Sequence, residues 1–338
     1  MKIYSKLKIK NIVLKNRIII EPIVSKSGNI DGTPSEKSFE IYEKYANAGA
    51  GMVIMEQIAV HPWGRNSMEQ FKLYNDEGAI ALRELTKIFE NKNIPVVAQL
   101  NFSGAGASDK NLLKEKDFRL LSPSGLRNPR DLIQVDSEKL TVEEIKEIIH
   151  TFGTAAKRAV DLAKFSGGVQ IYACHGYLIG QFLSPITNKR IDEYGGNLDS
   201  RARILFEIVK EVKKAVGNFP LSVRLGASDQ MPGKEENGLK LSESVEVARK
   251  LVELGVDWIG VSGNHCIYGI GVNDEDTAYF APYSQAIYEA VKSKNIPVDC
   301  AGGIRTSKKA EELLKNEVCE LIGIARPILK NENFLKTF

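Results

Sequence analysis

Three side chains able to do chemistry lie within the stretch Gln170–Leu178, which reads QIYACHGYL. Tyr172, His175 and Tyr177 occur there together, in a chain that has only four histidines. A phenol stays protonated at neutral pH and can give up a proton, while an imidazole can donate or accept a hydrogen bond. Such a trio suits the holding of an oxygen and the delivery of a proton. The competing explanation is a well-satisfied piece of core.

A second set suits an anion. Gly302 and Gly303, in CAGGIRTSKKAEELL, let backbone approach a ligand closely. The helix expected from Thr306 presents unpaired N–H groups and a positive dipole end. Arg326, in IGIARPILK, adds a cation. Gln99, in PVVAQL, can both donate to and accept from a heterocyclic imide. Arg224, inside the apolar run PLSVRLG, is costly to bury unless it meets an anion, a ring of acceptors or a structural salt-bridge partner.

Elements that position these residues can be read from the apolar runs. RIIIEP, MVIMEQ, PVVAQL, GVQIY, PLSVRLG, DWIGVSG, IPVDCAG and ELIGI are short and apolar on both faces, as parallel strands covered by helices should be. Helical patterns separate them. Thr141 and Glu144 form a capping box ahead of Ile145, Ile148, Phe152, Ala156 and Ala159 at helical spacing. Ser200–Val216, Ser242–Leu254 and Thr306–Leu314 behave similarly. Eight strand–helix units predict an α/β fold, a (β/α)8 TIM barrel forming a single domain over residues 1–338. A doubly wound sheet would want a glycine fingerprint after the first strand, where EPIVSKSG stands instead.

In such a barrel chemistry sits at the carboxyl ends of the strands, and phosphate is often held by loops seven and eight. Glu21, Glu56, Gln99, Tyr172, Arg224, Gly263 and Gly302 all fall at or near those ends. About 70 residues separate strands three and four, and the part from Lys110 to Asp131 has no helical period. A loop of that kind is expected to be a lid or substrate wall, with a solvated insertion as the alternative.

Composition excludes several classes. Hydrophobic residues are 43% and charged residues 26%, as in an ordinary globular enzyme. A net charge of +3 with interspersed signs argues against nucleic acid as a partner. No apolar run approaches a membrane span and no signal segment opens the chain, so a cytoplasmic protein with no membrane partner is expected. Cys174, Cys266, Cys300 and Cys319 are too scattered for a disulfide framework, and the histidines form no metal set with carboxylates.

The chain resembles the old yellow enzyme family of FMN-dependent NADH:flavin oxidoreductases, the ene-reductases. The likeness runs through LKNRIIIEPI, VIMEQIAVHPWGR, VVAQL, SVRLGASD, VSG and IGIARPIL, and above all through HGYLIGQFLSPITNKRIDEYGGNLDSRARILFEIV. It implies the short, barrel-only type, with FMN as cofactor and NADPH or NADH as reductant. Carried over by position, Pro22, Ile23 and Val24 would lie along the flavin edge and Gln57 near its ring. Gln99 would bond the pyrimidine portion, and Arg224 would stand beside N1 and O2, where a fixed cation stabilises the reduced anion. Gly302, Gly303, Ala325 and Arg326 would hold the phosphate. His175 aligns with a residue that holds a substrate carbonyl, and Tyr177 with the tyrosine that protonates the α-carbon. A homo-oligomer, dimer or tetramer, acting on a small molecule is implied as well.

Some positions depart from the family pattern. Tyr172 stands where the first carbonyl-binding histidine is usual, so it is expected to displace the activating oxygen or narrow the pocket. Val24 replaces a residue able to tune the flavin through a hydrogen bond or a thiol. Lys26 stands at the substrate mouth, where it would attract a carboxylate or else be a solvated lysine, and His265 is expected to face substrate or nicotinamide. His150 is expected on a helix surface and His61 in a loop. The other functions that the residues allow are a barrel lyase acting on a phosphorylated substrate, and a flavin-binding protein with weak reductase activity.

Overall fold

The computed structural model describes residues 1–129, 133–234, 237–266 and 276–338. The end of VSGNHCIYG beyond Cys266, and Asp131 at the end of the long loop, lie outside the described residues.

Each of the eight apolar runs forms a strand. They are β1 (Ile18–Ile20), β2 (Met52–Ala59), β3 (Val96–Asn101) and β4 (Val169–Ala173), then β5 (Leu221–Gly226), β6 (Trp258–Ser262), β7 (Asp299–Ala301) and β8 (Leu321–Ile324). Every residue in them is buried, because one face meets helices and the other meets the barrel interior. All neighbours pair in parallel, in the order β6-β5-β4-β3-β2-β1-β8-β7. A parallel bridge between Ile259 and Val298 closes the ring.

A helix follows each strand: α1 (Glu36–Asn47), α2 (Asp76–Glu90), α3 (Val142–Asp161), α4 (Leu198–Val216), α5 (Leu241–Glu253), α6 (Ala281–Val291), α7 (Ser307–Lys315) and α8 (Arg326–Lys330). The start of α3 shows how local chemistry sets these bounds. The Thr141 hydroxyl accepts from the Glu144 N–H at 3.1 Å, and the Glu144 carboxylate accepts from the Thr141 N–H at 2.9 Å. Its inner face then buries Ile145, Ile148 and Phe152, each worth about 1.5–3 kcal/mol on removal from water.

The barrel floor is apolar. Ile19, Met52, Ile54, Val97, Trp258 and Leu321 meet there, capped by Ile9 and Leu14 of an N-terminal hairpin, Leu7–Ile9 against Ile12–Leu14. The upper interior is polar, and its register is altered at one place. Met55 pairs with Ala98 but Ile58 pairs with Leu100, so β2 spends three steps on two of β3. The extra residue is a β-bulge at Glu56–Gln57, a device that re-aims side chains.

The long segment before α3 is more ordered than its sequence suggests. It holds the short 3-10 turns Gly104–Gly106 and Lys110–Lys114 and a parallel pairing of Leu121–Ser122 with Glu138–Lys139. Ala107, Leu112, Leu120 and Ile133 give it a small core of its own. Elements this short leave no periodic trace in the sequence.

Candidate active site

An open cleft of about 290 Å³ lies at the carboxyl ends of β1, β5, β6, β7 and β8. Of the residues singled out from sequence, Glu21, Pro22, Ile23, Arg224, Gly302, Gly303, Ala325 and Arg326 line it. Gly302 and Gly303 have φ of 96° and 75°. A Cβ on Gly302 would come within 2.4 Å of the Tyr279 ring, and one on Gly303 within 2.4 Å of the Thr277 hydroxyl. Only glycine satisfies both the backbone and the space. The Arg326 guanidinium stands 3.3 Å from the Tyr279 hydroxyl, and Thr306 caps α7 by accepting from the Lys309 N–H.

The inner wall of the cleft carries charge. An Arg224 guanidinium nitrogen lies 2.6 Å from a Glu21 carboxylate oxygen, both residues being almost wholly buried. Burial raises the pKa of Glu21, and Arg224 opposes that rise. Asp299 nearby is pushed well up by burial and by Glu21, and accepts the Val261 N–H at 2.9 Å. Below them the Gln99 amide donates to Gln170 at 2.8 Å, and Gln170 donates to the Ser222 hydroxyl at 3.2 Å. The carbonyl oxygen of Gln99 is buried and has no hydrogen-bond partner among the described residues.

At the rim, β4 ends at Ala173 and the chain turns sharply. His175 and Gly176 both have positive φ, 58° and 66°. Three amides hold this turn: Asn264 accepts the Gly176 N–H, and Asn128 and Gln181 donate to the Gly176 carbonyl. The turn places the imidazole between two hydroxyls. Tyr172 lies 2.5 Å from Nδ1 and Ser262 lies 2.7 Å from Nε2, so both ring nitrogens are engaged. The rings of Tyr172 and Tyr177 pack 5.1 Å apart. The Gln57 amide donates to the Tyr177 hydroxyl at 3.1 Å and accepts in turn from Asn101.

The trio is therefore brought together, with β5 and β6 between it and the glycine pair after β7. Ser262 joins the two regions, since it bonds His175 and lines the cleft. Its signal in the sequence was only its place at the end of β6. Gln57, Gln99 and the trio itself do not line the cleft. Val24 and Lys26 are exposed. The His265 side chain is only 7% exposed and packs against Gly176, 4.0 Å from Asp229. Burial lowers its pKa, against a smaller opposing pull from Asp229. His150 is exposed on α3, and His61 caps the turn Pro62–Gly64.

Glu56, on the other side of the bulge, does structural work. It accepts from the Ser25 N–H at 2.8 Å, from the Ser25 hydroxyl and from Tyr42. This ties the segment after β1, which carries Pro22 and Ile23, to β2 and α1. Burial pushes the Glu56 carboxyl up to about 7, against the hydrogen bonds of Ser25 and Tyr42.

Among the described residues no group of His, Cys, Asp and Glu could hold a metal ion, and no helix is long and apolar enough to cross a membrane.

The model of the NADH:flavin oxidoreductase / NADH oxidase family matches residues 2–338. The chain belongs to this family. An NADPH dehydrogenase of Listeria innocua serovar 6a is 35% identical over 99% of this chain and 93% of its own length. An NADH oxidase of Thermoanaerobacter brockii is 30% identical over 99% of this chain, which spans only 50% of that protein. The solved old yellow enzyme homologue from Zymomonas mobilis superposes with a TM-score of 0.80 at 22% identity, covering 99% of this chain and 92% of its own, a likeness of fold. As a family member this flavin oxidoreductase uses FMN and draws electrons from NADH or NADPH.

The residues present fit that cofactor. Glycines that tolerate no Cβ, together with Arg326, suit the phosphate end. The buried, unpartnered Gln99 oxygen suits an imide N–H, and Arg224 suits the imide oxygen side.

Proposed function

We propose that this flavin oxidoreductase is an ene-reductase, reducing a C=C bond activated by a neighbouring carbonyl. Gly302, Gly303, Ala325 and Arg326 would hold the FMN phosphate, Pro22 and Ile23 its edge, and Gln99 and Arg224 its pyrimidine side. FMN, when bound, supplies the hydride that adds to the β-carbon. The chain's own residues supply the rest. Tyr177 gives its phenolic proton to the α-carbon and regains one from solvent. The Tyr172–His175–Ser262 chain would present a hydroxyl at one of its ends to the carbonyl oxygen, with the imidazole between them orienting it, and that hydrogen bond would stabilise the enolate as charge develops.

The observation that carries this reading is the buried phenol of Tyr177, 3% exposed, packed beside that chain. A carbonyl held there would have an acid within reach of its α-carbon. A lyase would need a strand-end lysine or a metal set, and the site residues include neither.

The test uses the FMN-loaded enzyme in stopped flow. NADPH or NADH should bleach the flavin, and cyclohex-2-enone should restore its colour with formation of cyclohexanone. Bleaching that only oxygen reverses would leave a flavin reductase without this activity.

A further inference from the structure

Gln57 is 1% exposed, and its side chain reaches across from β2 to the turn after β4, bridging residues 120 apart in sequence. Two features make this a built contact. Gln57 lies within the β-bulge between Met55 and Ile58 and reaches Tyr177, while its neighbour Glu56 reaches Tyr42 on the opposite side of the strand. The amide is also held at its other end, because Asn101 donates to its carbonyl oxygen and itself bonds Ser103. Gln70 adds a third restraint by donating to the Gln57 backbone carbonyl at 3.1 Å.

We infer that Gln57 is a positioning residue for proton transfer, acting through Tyr177. This rests on the reading of Tyr177 as the proton donor. With Asn101 donating to the amide oxygen, the amide turns its N–H to Tyr177. A phenol oxygen that accepts from Gln57 must point its own hydrogen elsewhere, which turns that hydrogen away from β2. When the proton leaves for carbon, the oxygen becomes an anion and the same N–H becomes a charge-assisted donor to it. The interaction is therefore stronger after transfer than before, the condition for assisting the chemical step. Hydride delivery from NADPH to FMN involves no proton from Tyr177, so Gln57 should have no part in it.

The experiment compares wild type, Gln57→Met, Tyr177→Phe and the double variant as FMN holoenzymes. Each half-reaction is followed separately, NADPH for bleaching and cyclohex-2-enone for reoxidation. Gln57→Met keeps the length of the side chain and removes its N–H. It should slow reoxidation by about 10-fold or more at saturating enone, with little change in the enone concentration for half-saturation. Bleaching should stay within about twofold of wild type. In the Tyr177→Phe background the second substitution should add nothing. Gln57→Leu, which also removes the N–H, must follow the same pattern and serves if the methionine variant fails to hold FMN.

Bleaching slowed in parallel would overturn the inference and place Gln57 against the flavin. A further loss in the Tyr177→Phe background would overturn it too, since the effect would not pass through the phenol. Unslowed reoxidation in Gln57→Met, with Tyr177→Phe slow, would sink the inference alone. Full activity in Tyr177→Phe would sink the proton-donor reading and this inference with it.

Discussion

The phosphate-like end at β7–β8 and the rim at β2–β4 are built from different material. At the first, the working parts are backbone and space: two glycines at positive φ, the start of α7 and one arginine. At the second they are side chains in series, Asn101 to Gln57 to Tyr177 on one line and Tyr172 to His175 to Ser262 on the other. An anion needs positive potential at close approach, which backbone N–H groups supply with little dependence on partners. A proton transfer needs one hydrogen aimed at one atom, and in a buried site such aim comes from the next hydrogen bond.

Substitutions at the two ends should therefore fail in different ways. The largest effect is expected from Tyr177→Phe, which should slow reoxidation by cyclohex-2-enone by about 10²–10⁴-fold while NADPH bleaching is kept. Equal slowing of both half-reactions would erase the distinction between the regions.

Glu56→Gln comes next and reads out in stability. The raised carboxyl binds a proton more tightly in the folded chain than in the unfolded one. Its contribution is present below the unfolded pKa and is lost as pH rises through about 7. Relative to the variant, wild type should lose roughly 3 kcal/mol between pH 4 and pH 8. Urea titrations across that range check it, and parallel curves for the two proteins would refute it.

Gly302→Ala should cost about 1–3 kcal/mol in stability, from the positive φ and the Tyr279 ring. It should also weaken FMN retention on dialysis, while any enzyme that keeps FMN reoxidises normally. Slow proton transfer in such holoenzyme would mean that the two regions are coupled.

The smallest effect is expected at Tyr172. Tyr172→His exchanges a phenol on the imidazole for a shorter side chain, and should raise turnover of cyclohex-2-enone several-fold. No gain with an intact flavin spectrum would show that Tyr172 only fills the wall.

Legibility follows the same division. All eight strands could be read because parallel strands buried on both faces leave unbroken apolar runs. The α3 start could be read because a capping box is local. The glycine pair and Arg326 were visible as residue types at two strand ends, and the structure lines one cleft with both. Arg224 is legible as needing an anion, a ring of acceptors or a salt-bridge partner, but that the partner is Glu21, 203 residues away, leaves no local mark. His265, expected to face substrate or nicotinamide, has a buried side chain packed against Gly176 and 4.0 Å from Asp229, contacts that no short stretch of sequence marks.

By itself the sequence determined the barrel, the family and the chemical types available at the mouth, because periodicity, burial and residue identity are properties of short stretches. Only the tertiary structure decided which of those groups touch. The bulge in β2 adds one residue against β3, and there Gln57 meets Tyr177 while Glu56 meets Ser25 and Tyr42. Strand alternation sends these two adjacent polar residues to opposite sides, but the partners each meets come from distant segments and leave no mark beside them in the chain.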